Sequence, residues 1–462
     1  MKQKNIYIIV GFMLFALFFG SANLIYPAFL GIYSGSNWIP SIIGFCLTGV
    51  SLPLLGVMAV AKSGGDDVES LARPVSKWYA IFFSVALYLS IGPFFAIPRT
   101  GATSYSIGVA PILGNHFFIK VLYALLFFGL SYYLAMRPGK MVDRIGKILT
   151  PTLLIIIAIF VIASFLNPAG PLGKPHDIGN NTNNAFSSFP FIAGLIQGYG
   201  TLDALASLAF AIIVIDGVKG FGITKSKDIT KITLKSGIIA ISLLALIYIF
   251  IGHIGATSQS LFESKDGQFL LNGITIDGGH VLSKSSHYYL GAIGQIVLAI
   301  VIFLACLTTS TGLITACAEY FHKLLPQLSH PTWASIFTLI SIFFYFGGLS
   351  EIIKWSVPVL YLLYPLTIVL ILLVLSRKLF HNAPIVYQTT MALTAIPAIF
   401  DALTTLSEFT GLFKLPNTVT QFFTLTIPLG KYSMGWLPFA IIGFCIGYII
   451  LQFKTNKKTY QR

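Results

Sequence analysis

Apolar runs about as long as a membrane crossing follow one another along almost the whole chain, with short polar stretches between them. They predict helices near 6–31, 39–61, 78–104, 117–136, 147–166, 189–217, 232–254, 288–320, 332–347, 350–375, 385–409 and 435–453. A crossing needs about 20 apolar residues, and in lipid only a helix or a closed barrel satisfies its own backbone. The pattern therefore reads as an all-α polytopic membrane protein of twelve transmembrane helices, forming a single membrane domain over 1–462. Two longer polar segments, 167–188 and 255–287, read as loops, the second carrying Glu263, Asp266 and Asp277.

Two runs are interrupted. In the first, Phe19 to Ala28 reads Phe-Gly-Ser-Ala-Asn-Leu-Ile-Tyr-Pro-Ala, where Gly20, Ser21, Ala22 and Asn23 propagate a membrane helix poorly and Asn23 suits the N-cap of a restarted one. In the sixth, Gly198-Tyr199-Gly200-Thr201 precedes Leu202-Asp203, with Thr201 as the N-cap expected there. Irregular backbone at membrane depth is tolerated where protein buries it or where it lines a cavity. Five spans separate the breaks, so the two helices run in opposite directions. Corresponding discontinuous helices in two halves point to a transporter built from inverted repeats: repeat one about 6–166, repeat two about 189–375, and two added helices about 385–453.

Composition agrees with a membrane domain. Apolar residues make up 56%, charged residues 10%, and mean hydropathy is +0.84, which leaves no room for a large soluble domain. The formal charge of +14 raises nucleic acid as a partner, but topology accounts for it. With both termini cytoplasmic, Lys2, Lys4, Lys62, Arg73, Lys77, Arg137, Lys140, Arg144, Lys147, Lys219 and the basic residues that follow on the same side amount to about 21 of the 29, as the positive-inside rule requires. Lys2 and Lys4 before an apolar run imitate a secretory signal, with Gly20-Ser21-Ala22 as its cleavage site, yet the run resumes at once and the first helix is expected to stay. Cys46, Cys306, Cys317 and Cys445 all fall in apolar segments without a CxxC pair and read as reduced, buried thiols. The histidines show no paired spacing, so no transition-metal site is expected.

A third feature lies in the eighth run, where Thr308-Thr309-Ser310-Thr311 stand at mid-helix depth. Such hydroxyls often bond their own helix at i−4 or glue neighbouring helices. With about 100° between successive residues, four in a row leave at least one facing inward.

The stretches GFMLFALFFGSANLIYP (11–27), LTGVSLPLLGVMAVAKSGG (47–65), IGPFFAIPRT (91–100) and GYGTLDALASLAF (198–210) resemble the branched-chain amino acid:cation symporters of bacteria, the BrnQ or LIVCS family, and the likeness runs through essentially the whole chain. The resemblance implies import of leucine, isoleucine and valine across the bacterial plasma membrane, driven by sodium or protons, on a five-plus-five inverted-repeat fold with no cofactor and no enzymatic activity. Many members read Gly-Ala-Gly-Asn where this chain has Gly20-Ser21-Ala22-Asn23.

A zwitterion in a membrane needs donors for its carboxylate, acceptors for its ammonium and an apolar pocket. Restarted helices offer unpaired N–H groups and a positive dipole end, and carbonyls freed where the first halves end accept from an ammonium or a cation. The expected polar shell is Gly20, Ser21, Ala22, Asn23, Tyr199, Thr201 and Asp203, with Phe94, Phe95, Leu205 and Leu208 as apolar candidates by position. Asp203, a carboxylate at membrane depth and hence a functional candidate, could neutralise a cation, carry a proton or cap the restarted helix. From the related fold, the resemblance implies a sodium ion between the carbonyls of Ala16 and Phe19 and the hydroxyls of Thr308 and Thr309. Asp401 reads as a packing or water-facing residue outside the repeats, and Asp216 and Glu319 as solvated helix-end acids. A buried partner or an outer-end snorkel would satisfy Arg99, and the snorkel is the reading preferred here. Gly443 and Gly447 form a GxxxG that serves internal packing or a dimer face. The readings set aside are an exchanger or permease of other range, a channel, which would show a continuous polar lining, and a membrane enzyme, for which no nucleophile–base pair appears.

Overall fold

The computed structural model describes residues 3–63, 67–136, 150–178, 185–265, 267–271 and 273–460. Lys2, Arg137, Lys140, Arg144, Lys147, Arg462 and Asp266, all given places by the sequence reading, lie outside the described residues.

Every predicted run is helical over most of its length. The first is split into α1 (Gln3–Phe18) and α2 (Ala22–Ser34). A turn at Gly35, which takes φ +47°, leads into α3 (Trp38–Cys46) and α4 (Leu52–Ser63), joined through a π-helical turn at Leu47–Ser51. Beyond the short α5 (Val68–Ala72), the third run comprises α6 (Lys77–Leu89), α7 (Ala96–Thr103) and α8 (Ala110–Leu113), again joined by π-helical turns. There Gly92 leaves helical geometry (φ −90°, ψ −121°) directly before Pro93, an interruption that the hydropathy pattern does not show. α9 (Phe117–Ala135) and α10 (Thr150–Leu166) follow.

In the second half, α11 (Pro190–Gln197), a 3-10 turn at Gly198–Thr201 and α12 (Asp203–Lys219) form the other broken run, bent by 43°. α13 (Ser226–Thr257) comes next. The segment expected to be a loop over 255–287 is structured instead. It holds an antiparallel sheet of β1 (Glu263–Lys265), β2 (Gln268–Leu271) and β3 (Ile274–Thr275), with Glu263 opposite Leu270 and Leu270 opposite Thr275. α14 (Gly278–Leu324) then begins ten residues early because Asp277 caps it: its carboxylate accepts from His280 N–H at 2.9 Å, and the His280 ring lies 2.7 Å from the same oxygen. The kink at Gly291, where φ is +59°, sits near the start predicted for the eighth span. α15 (His330–Tyr345), α16 (Leu349–Ser376), α17 (Pro384–Thr410), the short α18 (Asn417–Gln421) and α19 (Trp436–Tyr460) complete the chain.

Among the described residues, eight helical stretches are long and apolar enough to cross a membrane, nine when the bent pair is one span, while Ile6–Phe18 and Leu154–Leu166 are apolar but shorter. Length and composition of the described helices thus do not fix the count of twelve crossings.

The packing obeys an inverted repeat. α1 and α2 both lie against α13, the second helix after the other break, while α11 and α12 lie against α3 and α4, which follow the first. Each broken helix is therefore clasped by the other half of the chain. Small residues make the approach close: a Cβ on Gly31 would come within 2.1 Å of the Gly252 carbonyl oxygen, and one on Gly194 within 1.9 Å of that of Ser41. Gly443 and Gly447 pack on Thr389, Thr390 and Val386 of α17, which assigns the GxxxG to internal packing. Cys46, Cys306, Cys317 and Cys445 are free, but only Cys306 and Cys317 are buried as expected: Cys46 is half-buried, and Cys445 is exposed on α19 because it lies off the face that meets α17.

Candidate transport site

The first break is closed by its own chain. Phe19 N–H still reaches the Phe15 carbonyl at 2.7 Å, but Gly20 N–H turns to the Asn23 side chain (Oδ1, 2.9 Å) and the Phe18 carbonyl (2.9 Å). Asn23 is not the N-cap. Ser21 stands at that position in helical geometry without a side-chain cap, and Asn23 is already inside α2. This difference follows from what Asn23 does with its amide: its oxygen accepts from Gly20, and its Nδ2 donates to the Asp203 carboxylate and to the Tyr248 hydroxyl of α13. One buried amide thus ties the first break, the second break and the seventh run together. The N–H groups of Ser21, Ala22 and Asn23 head α2, where a helix has no internal acceptor for them.

The second break is closed from outside. Arg99 of α7, 4% exposed, donates from Nη1 to the Gly200 carbonyl at 2.7 Å and from Nη2 to the Thr201 carbonyl at 3.1 Å. The snorkel reading of Arg99 is therefore corrected. The Gly92–Pro93 interruption breaks the third run just before α7, which carries this side chain inside, where the two carbonyls accept from Nη1 and Nη2 and Nε has no hydrogen-bond partner. Thr201 caps only in part: its hydroxyl donates to Gly198 O at 2.9 Å and accepts from Asp203 N–H at 3.3 Å, while Leu202, in left-handed geometry (φ +65°), holds the N-cap position.

Gly20, Ser21, Ala22, Asn23, Thr201 and Asp203 converge on one cavity of about 20 Å³ between the breaks. That is room for about one water molecule. Its remaining wall is Leu17, Ala96, Thr100, Leu202, Ala206, Phe210, Thr309 and Leu313, with Arg99. Phe94, Phe95, Leu205 and Leu208 do not line it. At about 100° per residue, Asp203, Ala206 and Phe210 share one face of α12, and Leu205 and Leu208 fall on the opposite one, where Leu208 meets α4 near Gly56. Phe94 packs edge-on against Phe344 at 5.5 Å.

Tyr199 also lies elsewhere. Its ring stacks on Tyr364 at 4.5 Å, and it lines a second, larger cavity with Gly200. Between the two spaces sits Tyr26 of α2, pressed so close to Gly200 that a Cβ there would lie 2.1 Å from the ring. Only glycine fits that position.

The eighth run faces the first break. Thr308 donates to the Ala16 carbonyl at 3.1 Å and to Ala305 O at 2.9 Å. Thr309 reaches Leu17 O at 3.4 Å and sits so near Gly20 that a Cβ there would be 3.0 Å from its hydroxyl. Phe19 supplies neither carbonyl: its ring stacks on Phe15 at 5.0 Å, and the chain has already turned out of helical register. Of the other two hydroxyls, Thr311 bonds back to Leu307 O at 2.7 Å and Ser310 is buried without a hydrogen-bond partner. The oxygen set of Ala16, Leu17, Thr308 and Thr309 is neutral and hard, which suits an alkali cation. Arg99 is recoverable from sequence as a charge inside an apolar run; Tyr248 carries no such signal among 21 tyrosines.

Residues 2–454 match the family described as "Branched-chain amino acid transport protein". The chain is 42% identical over 448 residues to the branched-chain amino acid permease BraB of Bacillus subtilis, covering 96% of this chain and 95% of that one. It is 39% identical over 452 residues to the permease BrnQ of the same organism, covering 97% of each. The Lactobacillus delbrueckii permease BrnQ is 38% identical over 453 residues, covering 96% of this chain and 97% of that one. Among solved structures, the nucleobase-cation-symport-1 family transporter Mhp1 superposes with a TM-score of 0.61 at 13% identity, over 98% of this chain and 93% of its own. An Eremococcus coleocola manganese transporter superposes at 0.58 with 14% identity, over 96% and 95%. These two likenesses concern the fold.

Proposed function

We propose that this chain, which belongs to the branched-chain amino acid transport protein family, is a symporter that imports leucine, isoleucine and valine into the bacterial cell with a coupling cation. The observation that carries this reading is the Asn23 amide bridging the two breaks to each other through Asp203. It is a polar latch at the point where two oppositely running helices lose their internal hydrogen bonds. When the latch parts, the N–H groups of Ser21, Ala22 and Asn23 receive the substrate carboxylate, and Asp203 receives the ammonium. The carbonyls of Gly200 and Thr201 are engaged by Arg99, so they are not the ammonium's acceptors. Ala206, Phe210 and Leu313 offer apolar surface for a branched side chain.

The coupling ion in this reading is sodium, held by the Ala16 and Leu17 carbonyls with Thr308 and Thr309. A proton on Asp203 is the second reading, favoured by the burial of that carboxylate at 5% exposure between Asn23 and Arg99. Either ion suffices energetically. One cation moving down about 100 mV gains about 2.3 kcal/mol, and a tenfold gradient adds about 1.4 kcal/mol, together an accumulation of several hundredfold. The repeats, about 6–166 and 189–375, interlock at the two breaks, both termini are cytoplasmic, and the helices over about 385–453 flank them.

The test is leucine uptake into proteoliposomes under an imposed sodium gradient and, separately, a pH gradient. Uptake driven by one of them supports the symporter and names the ion; uptake indifferent to both removes it. Asp203→Asn separates the two couplings. It is expected to abolish proton-driven uptake outright, and to weaken leucine binding while leaving some sodium-driven flux.

A further inference from the structure

A second cavity is larger than the one between the breaks. A space of about 670 Å³ lies beyond Tyr26 and Gly200, between the second break, α16, α17 and the segment after α18. α17 presents to it Asp401, Thr404, Thr405 and Glu408, a spacing of 0, 3, 4 and 7 that puts two acids and two hydroxyls on one face of the helix. Asp401 is 9% exposed, and its Oδ2 has no hydrogen-bond partner. A buried carboxylate oxygen left unpaired inside a membrane protein is expensive. Lys431 lines the same cavity, its ammonium held 4.7 Å from the Tyr432 ring centroid and 5.4 Å from that of Phe189. Ile196, Val357, Leu360 and Phe400 supply apolar wall.

We propose that this cavity is a second amino-acid site, which binds an aliphatic zwitterion with its ammonium on Asp401, its carboxylate toward Lys431 and its side chain on the apolar wall. The inference rests on the reading of the chain as an amino-acid carrier and adds a station to it. A bare cation suits the cavity less well: a hard ion seeks several converging oxygens, whereas this space is wide, partly apolar and shared with a lysine. The station adjoins the central cavity across a single peptide. Gly200 lines one space and Thr201 the other, and the Tyr26 ring closes the gap against Gly200. A zwitterion resting on Asp401 therefore waits one residue from the latch, on the side of the membrane that the basic residues assign to the exterior.

The experiment counts labelled leucine bound at equilibrium by the full chain in nanodiscs and measures uptake in proteoliposomes. The wild type is expected to bind two leucines. Asp401→Asn should lose one and raise KM about tenfold, the effect of one lost charge-assisted contact, with a smaller change in kcat. Asp401→Glu should restore the count, and Lys431→Gln should weaken the same leucine. Asp203→Asn should weaken the other leucine and leave unchanged the one that depends on Asp401. A single leucine in the wild type, with Asp401→Asn neutral, overturns the second site. So does an Asp401→Asn protein whose sodium dependence shifts while its leucine count stays at two. No leucine bound in any variant or in the wild type overturns the carrier reading itself.

Discussion

The two breaks do the same job with opposite means. The first, at Phe19–Ser21, is closed locally: Asn23 reaches back three residues to Gly20 N–H, and helical geometry resumes at Ser21 without strain. The second, at Gly198–Leu202, is longer, includes a left-handed Leu202 at φ +65°, and depends on a guanidinium delivered from the third run. Left-handed geometry costs a non-glycine residue about 1–2 kcal/mol, so the second break is the one that needs an external clamp. The difference divides the labour. The first break holds most of the groups that would touch substrate and cation, and it can rearrange by turning one amide. The second is braced, and the brace also keeps a positive charge beside Asp203.

The largest expected effect is therefore at the brace. Arg99→Leu leaves the Gly200 and Thr201 carbonyls buried without a donor, at about 1–3 kcal/mol each, and removes the cation near Asp203. Thermal unfolding of the purified protein should fall by several degrees, and leucine uptake should be lost. Arg99→Lys should recover only part of either, because an ammonium cannot present two parallel donors as a guanidinium does. Wild-type stability in Arg99→Leu would show that the two breaks are equally self-supporting and would end the comparison.

The latch comes second. Asn23→Ala removes the acceptor of Gly20 N–H and the donor to Asp203 and Tyr248, three contacts through one side chain. Uptake is expected to fall more than tenfold, while stability drops less than in Arg99→Leu, since two of the three contacts are neutral hydrogen bonds, at about 0.5–1.5 kcal/mol each, and Gly20 N–H keeps the Phe18 carbonyl. Asn23→Asp, which sets a carboxylate against Asp203, should be worse than alanine for uptake. If alanine is as active as the wild type, the latch does not lie on the transport path.

Much of this is legible in the amino-acid sequence, and the limits have physical causes. Hydropathy locates every helical run and both of these breaks, because glycine and polar residues clustered inside an apolar run mark backbone that protein must bury or that lines a cavity. It misses the Gly92–Pro93 interruption, although that dipeptide is a strong breaker, because the surrounding run stays apolar. Arg99 is visible as a charge but not as a clamp, since its partners are backbone carbonyls about a hundred residues away, which carry no side-chain signature. Leu205 and Leu208 suit the site by depth alone; the phase of α12, which turns them away, is set only once Asp203 is known to start it. Tyr199 belongs at the centre by its neighbours in sequence, whereas the 3-10 turn rotates its ring outward onto Tyr364. The Leu17 carbonyl that meets Thr309 is not among the carbonyls the resemblance implies, since a backbone acceptor leaves no side-chain signature.

The smallest effect separates two adjacent hydroxyls on α14. Thr308 meets the Ala16 carbonyl at 3.1 Å, and Thr309 meets Leu17 O at 3.4 Å, near the limit of a hydrogen bond. If a cation takes the place of these contacts, each hydroxyl becomes a ligand, and the shorter pair marks the tighter half of the cage. Thr308→Ala should raise the sodium concentration for half-maximal uptake about tenfold, the loss of one hard ligand worth about 1.4 kcal/mol, and Thr309→Ala about threefold. Leucine binding at saturating sodium should be nearly unchanged in both, which distinguishes them from Asn23→Ala, where more sodium cannot restore the latch. Equal losses under a proton gradient would move the coupling ion away from α14 and onto Asp203, so that the braced break, rather than the flexible one, would carry the charge that drives transport.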